Sequence, residues 1–524
     1  MGIAYVPQTM GGLEPRSRGR GRKLPSRAAL LAVLITLASC GSTPDASPDQ
    51  RPPRSGILHL DTAVDLVQGA SRPERLQIYT LTADALVGAG RLDQAMELLS
   101  YAQRLLPQLE DEIARIEREA QLVAVWQAVA ARDQTRSEQV ETLTTEVLRR
   151  AERSEDVALR ARVFLTLFRA ELGNPNAPEL TLRRTLDLAY LIANDAVRAE
   201  ALVEAGEYLA DADDRVALNP LVQQAIATVP ALEAPLLASD LDARLAALSR
   251  TLGREADVNL LAERVQTRAA AGLLIQGGEE SRLRRIIRRL GAVDRLDLVP
   301  GILANIAPQR VRAEAYGWYA DELFTRARSE DGEAAFSEGF LIAGMVTDEV
   351  AAAGVRARMI RRRSERTPSW DASSRIAELL ASVRLAGFPT REREALITEV
   401  SIAYILSGRP ELTERLRGLI RTADEFSRIM ISIGSELAAL GREDAASDYL
   451  ARVTTMPPPT IDARQPPAVT AADAWRRLGE YDRSLVVILD EEPLVVARHL
   501  ARIPAEHVIN PATRGRLLQL NSED

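Results

Sequence analysis

Apolar residues recur along most of this chain at three- and four-residue steps. Phe426, Ile429, Met430, Ile433, Leu437 and Leu440 are one such run. That spacing puts them on a single face of a helix. No stretch alternates cleanly with a period of two between turns, so no strand is expected. Composition supports the same reading: hydrophobic residues make up 46% of the chain but aromatics only 4%. Ala and Leu supply most of the apolar mass. Both favour helix, whereas β-branched and aromatic residues favour strand. The expected fold class is all-α.

From about Arg72 onward the helices are expected in pairs. Tyr79, Thr82, Ala83 and Leu86 fill a first helix, Gly90 the turn, Ala95, Leu99 and Ala102 a second helix, and Pro107 ends it. Small residues at Ala83 and Ala95 let the two helices approach closely, and Gly90 takes the strained backbone. The pattern resembles the tetratricopeptide repeat, which implies an α-solenoid of antiparallel helix pairs. A second copy runs through Met430, Ile433, Gly434, Leu437, Gly441, Ala446, Leu450, Val453 and Pro458. A third uses Leu202, Ala205, Gly206, Leu209, Asp213, Leu218, Val222, Ala225 and Pro230, departing from the template at its turn. Weaker matches follow Ala271, Leu274, Gly278, Leu283, Ile287 and Leu290, and Trp475, Gly479 and Tyr481. At about 34 residues per unit there is room for about thirteen pairs. Pro368, and the cluster Pro457, Pro458, Pro459, Pro466 and Pro467, break the pattern and suggest boundaries near 368 and 460. The division read here is solenoid over 56–456, Pro-rich loop over 457–469, and a terminal helix pair and cap over 470–524.

The first forty residues have a different character. Arg16, Arg18, Arg20, Arg22, Lys23 and Arg27 form a positive segment. An apolar run over 28–38 follows, too short to span a bilayer. It ends in Leu37-Ala38-Ser39-Cys40. This order resembles the bacterial lipoprotein signal. The resemblance implies a signal peptide over 1–39, a diacylglycerol (and palmitate) on Cys40, and anchoring in the cell envelope, outer membrane rather than inner because Gly41 follows the cysteine. Cys40 is the only cysteine in the chain. A lone thiol is a liability in an oxidising compartment, and lipidation removes it. Residues 40–55, rich in Ser, Thr, Pro and Asp, read as a disordered tether.

Net charge is −8 over the chain, and the positive signal segment masks a still more acidic body. An acidic body disfavours nucleic acid as a partner. Motifs for chemistry are sparse. His59, His499 and His507 lack helical metal-pair spacing and read as surface or partly packed side chains. Asp211, Asp213 and Asp214 lack the rest of a calcium loop and read as a turn. Gly277-Gly278 lacks the rest of a phosphate loop, and no Gly-x-Ser-x-Gly elbow occurs. Glu280-Ser281 lacks the surroundings of a cell-wall lytic enzyme. No metal, cofactor or catalytic residue is expected.

Two basic helices stand out. Arg282, Arg285, Arg288 and Arg289, with Arg284, interleave with Leu283, Ile286, Ile287 and Leu290; the other cluster is Arg356, Arg358, Arg361, Arg362, Arg363 and Arg366. They read either as a patch for an anionic partner or as faces paired with carboxylates of neighbouring helices. Solenoids present an extended concave face, commonly lined by first helices. Tyr79, Thr82, Asp84 and Leu86 are therefore candidates for a peptide groove. The functional expectation is a non-enzymatic, membrane-anchored scaffold for protein partners of an envelope assembly or cell-wall machine. A wall-acting enzyme or its regulatory subunit, and a structural spacer, are the alternatives.

Overall fold

The computed structural model describes residues 52–172, 194–211, 213–272, 279–453 and 467–520. The chain divides into two compact units, 1–52 and 53–524. Cys40, the signal segment and nearly all of the tether lie outside the described residues. The described helices belong to the second unit, and among its described residues all regular structure is helical.

In chain order the α-helices are α1 Leu58–Leu66, α2 Arg72–Gly88, α3 Leu92–Leu105, α4 Glu112–Arg132, α5 Ser137–Arg153, α6 Val157–Leu172, α7 Asp195–Asp211 and α8 Arg215–Thr228. Next come α9 Pro235–Thr251, α10 Glu255–Ala270, α11 Glu280–Ala292, α12 Val299–Ala304, α13 Gln309–Thr325, α14 Ser329–Gly344, α15 Glu349–Arg366 and α16 Ser373–Ser382. Then follow α17 Thr390–Leu406, a 3₁₀ segment Pro410–Leu419, α18 Ala423–Ala439, α19 Glu443–Ala451, α20 Pro467–Arg477, α21 Tyr481–Ile488, α22 Pro493–Leu500 and α23 Pro511–Leu520.

The start of α2 shows why these elements form where they do. Ser71 caps it with Glu74 in a reciprocal box, and Pro73 sits in the first turn. At its end Gly90 adopts φ +72°, and the Arg91 N–H donates to the Leu86 carbonyl at 2.9 Å. This six-to-one closure satisfies an orphan carbonyl and reverses the chain. It recurs after Gly253, Gly408, Gly441 and Gly479, all at positive φ. Three further turns use it without glycine, with Asp213, Asp294 and Ala327 in the left-handed region. Ala327 bears a cost of about 1 kcal/mol there. Asp213, where the third sequence copy departs from the template, is thus a working turn.

The first helix of each pair packs on the first helix of the next: α2 on α4, α4 on α6, α7 on α9, and onward through α11, α13, α15, α17, α18 and α20. Close approach within and between pairs depends on small residues. Within a pair, a Cβ on Gly434 would lie 2.5 Å from Leu450 Cγ and 3.2 Å from the Ala446 carbonyl oxygen; between first helices, one on Gly206 would lie 2.8 Å from Leu248 Cδ1. Tyr79 of α2 meets Tyr101 of α3 edge-on, with centroids 5.7 Å apart.

The weak copy near Gly278 is out of register. Leu274 and Gly278 lie outside the described residues, and Leu283, Ile287 and Leu290 belong to α11, a first helix rather than a second. Its apolar face fits either role, so periodicity alone could not place it. Pro368 marks no domain boundary, because α15 and α17 pack directly across the break. The terminal pair begins at Pro467, inside the span read as loop. Residues 511–520 do not cap an open end: α23 packs on α1 and α21, and α22 lies along α1 and touches α2. Leu60, Val64 and Leu76 share one core with Leu485, Val496, Leu500 and Leu517. The solenoid closes on itself, and the first and last parts of the unit form the seam.

Candidate functional site: an arginine-lined face

The first-helix layer curves inward. Arg282 of α11 reaches Glu200 of α7 at 3.1 Å, Arg289 reaches Glu207 at 2.7 Å, and Arg361 of α15 reaches Glu436 of α18 at 2.8 Å. Each pair passes over one intervening helix. With neighbouring axes about 10 Å apart, such bonds form only where the layer is concave toward them.

Nearest neighbours in the layer are tied the same way. Arg162 pairs with Glu117, Arg169 with Glu204 (2.7 Å), Arg244 with Glu207 (2.7 Å), Arg285 with Asp240 (2.7 Å), Arg310 with Glu280 (2.7 Å), Arg358 with Glu314, and Arg428 with Glu394 (2.6 Å). The partners lie about one repeat apart in sequence. Several are forked, Arg169, Arg244 and Arg285 each donating through two nitrogens. Lysine cannot make that geometry, and the chain carries one lysine, Lys23. Burial pushes the Glu207 carboxyl up, but Arg244, Arg289 and Arg285 together pull it below the ordinary range.

This lattice corrects part of the sequence reading. Arg282, Arg285 and Arg289 serve carboxylates of α7 and α9, as Arg358, Arg361 and Arg363 of α15 serve Glu314, Glu399 and Glu333, so these are not a free anionic-partner patch. Glu280 likewise belongs to the lattice. Arg288 is different: it faces a cavity of about 680 Å³ among α11, α13 and α15. Arg284, Trp318, Asp321 and Arg366 line the same space. Among the described residues no ion pair is formed by Arg284, Arg288 or Arg366. Their neighbours in the wall are committed: Arg285 to Asp240, and Arg326 to Glu322 at 2.5 Å and to the Gly291 carbonyl at 3.0 Å.

Asp321 is 7% exposed. Burial pushes its carboxyl up to about 6, although the Arg362 and Arg366 guanidiniums pull the other way. Arg362 lies over the Trp318 ring, 5.5 Å from its centroid. The Arg362 Nη1 and Trp318 Nε1 groups are buried with no protein partner. No sequence motif marked Asp321 or Trp318; a lone acid beside an aromatic on a helix has no signature until the neighbouring helices are placed.

The groove residues are also corrected. Tyr79, Thr82 and Leu86 are buried between α2 and its neighbours, and only Asp84 is exposed. The template positions that let helices pack are interior by construction, so they cannot line a surface. His59 and His499, read as surface or partly packed, are buried at the seam, 1% and 4% exposed. Asp213 and Asp214 serve a turn, Asp214 accepting from the Ala217 N–H. Among the described residues no group of three His, Cys, Asp or Glu is placed to hold a metal ion. Nor is any described helix long and apolar enough to cross a membrane.

No protein-family description and no curated protein matches the chain. Solved structures give remote similarities. Ton1535 from Thermococcus onnurineus NA1 aligns at 14% identity over 74% of this chain and 99% of its own, with a TM-score of 0.23. A circular tandem repeat protein with novel repeat topology aligns at 14% identity over 86% and 94%, with a TM-score of 0.16. The helical-repeat architecture therefore rests on the helix pairing described above.

Proposed function

We propose that the protein is a lipid-anchored envelope lipoprotein whose helical body is a binding scaffold for protein partners of an envelope assembly or cell-wall machine. The Leu37-Ala38-Ser39-Cys40 segment carries this reading, because it follows a basic and an apolar segment in the order that export and lipidation require. Two or more acyl chains on Cys40 give stable anchoring where one is marginal. The curved face of α7–α18 is the surface available to a partner. Metabolic labelling with a palmitate analogue tests the anchor. Label on the wild type and none on Cys40→Ser supports it; an unlabelled, full-length protein in the soluble fraction ends the proposal. Crosslinking in intact cells then identifies what the body holds.

One observation favours a second reading, an enzyme acting on the wall. A carboxyl raised to about 6 inside a cavity, as at Asp321, is the kind of group that serves as a general acid. Incubating the protein with purified wall material separates the two. Release of soluble fragments by wild type but not by Asp321→Asn supports the enzyme; absence of release leaves the scaffold.

A further inference from the structure

We propose that the cavity among α11, α13 and α15 is a binding site for a phosphomonoester dianion. The site is independent of the lipid anchor and of the scaffold reading. Along much of the layer an arginine of one helix meets a carboxylate of another. Here Arg284 and Arg288 from α11 and Arg366 from α15 meet no such partner among the described residues, and all three line one cavity. The single uncommitted carboxyl in the wall is Asp321; Glu322 is held by Arg326.

Charge balance selects the ligand. Three lining guanidiniums, with Arg362 behind them, against one carboxylate leave an excess of at least two positive charges. A dianion offsets more of that excess than a monocarboxylate does. A phosphomonoester also offers three oxygens to guanidinium forks arriving from two helices, a geometry one carboxylate cannot fill. Trp318, which lines the cavity, and Arg362 over its ring add buried donors that make no hydrogen bond within the protein. At about 680 Å³ the space exceeds a bare phosphate, so the phosphate is expected on a larger body, either a small metabolite or a lipid headgroup.

The test is titration calorimetry of the intact protein at low salt with glycerol 1-phosphate and with succinate, and flotation with vesicles of phosphatidylcholine alone or with added phosphatidic acid. Glycerol 1-phosphate should bind, and succinate should bind at least about tenfold more weakly. The double variant Arg284→Gln/Arg288→Gln should weaken phosphate binding about tenfold or more. Asp321→Asn should tighten it severalfold, a gain that misfolding cannot imitate. Arg149→Gln, on exposed α5, should leave it unchanged. Flotation that needs both phosphatidic acid and the two arginines assigns the site to a lipid, whereas soluble binding without flotation assigns it to a metabolite. Equal affinity in the double variant and in Arg149→Gln, equal affinity for succinate, or failure of both probes to bind overturns the proposal.

Discussion

Between α4 and α18 the first helices are repeatedly tied by arginine–carboxylate pairs, whereas α22 meets α1 and α2 through Leu60, Val64, Val496, Leu500 and their neighbours. The polar groups at that seam are mostly neutral. Arg498 donates to Gln77 at 3.3 Å, and His499 Nε2 shares a hydrogen with Ser484 Oγ at 2.5 Å. His59 holds a backbone hydrogen bond with Ile503. His507 sits 3.4 Å from Asp482 and lies tilted against the Tyr481 ring, centroids 4.8 Å apart. All three histidines of the chain are therefore at the closure. The arc is tied mainly by arginines, which keep their charge across the ordinary pH range; the seam buries His59 and His499. Repetition sets the register along the arc, while the join rests on packing that exists only once both termini have arrived.

The largest expected effect is acid weakening of the seam. Burial lowers His59 and His499 to about 4. Unfolded, each titrates near 6.5, so the unfolded state binds more protons between those values. Stability is full above pH 6.5 and falls as pH drops toward 4, by about 3 kcal/mol for each imidazole. Urea melts at neutral pH and near pH 4.5, with hydrogen exchange read by segment, should show α1 and α22 opening before α13 and α15. His59→Leu should remove part of that acid sensitivity. Uniform exchange across arc and seam would erase the distinction.

In the arc, Arg393 and Glu425 form a pair 2.8 Å long, both almost wholly buried. Arg393→Leu should cost about 3–5 kcal/mol, because Glu425 is left buried and unpaired. A denaturation midpoint near wild type would show that these pairs contribute little beyond register. Asp321 should behave in the opposite way. Its folded value near 6 lies above its ordinary 3.8, so the folded state binds the extra proton and stability falls as pH rises through that window. Asp321→Asn should stabilise the protein at neutral pH by about 2–3 kcal/mol and have no effect near pH 4.

The smallest effects separate packing from backbone conformation. Gly434→Ala pushes a methyl group into Leu450 and should cost about 1–3 kcal/mol. Gly90→Ala meets open space but retains φ +72°, and should cost about 1 kcal/mol. Thermal melts of the two variants rank them.

Helix content, pairing and the glycine turns at 90, 441 and 479 were legible because each depends on residues within a few turns of one another. The basic clusters were visible too, but their partners were not. Arg282 and Glu200 lie far apart in sequence, and no local pattern joins them. The same limit hid the cavity: Arg288 and Arg289 are adjacent in sequence, yet one faces open space and the other faces Glu207.

Local sequence was enough to specify an all-helical chain of paired elements, because a 3.6-residue period, small residues at contact positions and left-handed turns act over short distances. Closure of the solenoid, the inward facing of Tyr79, Thr82 and Leu86, and the choice of which arginines meet internal carboxylates were settled only by packing between distant helices. Those outcomes depend on the curvature summed over every pair. A small angle repeated along the chain brings α22 back to α1, and no single repeat encodes that sum.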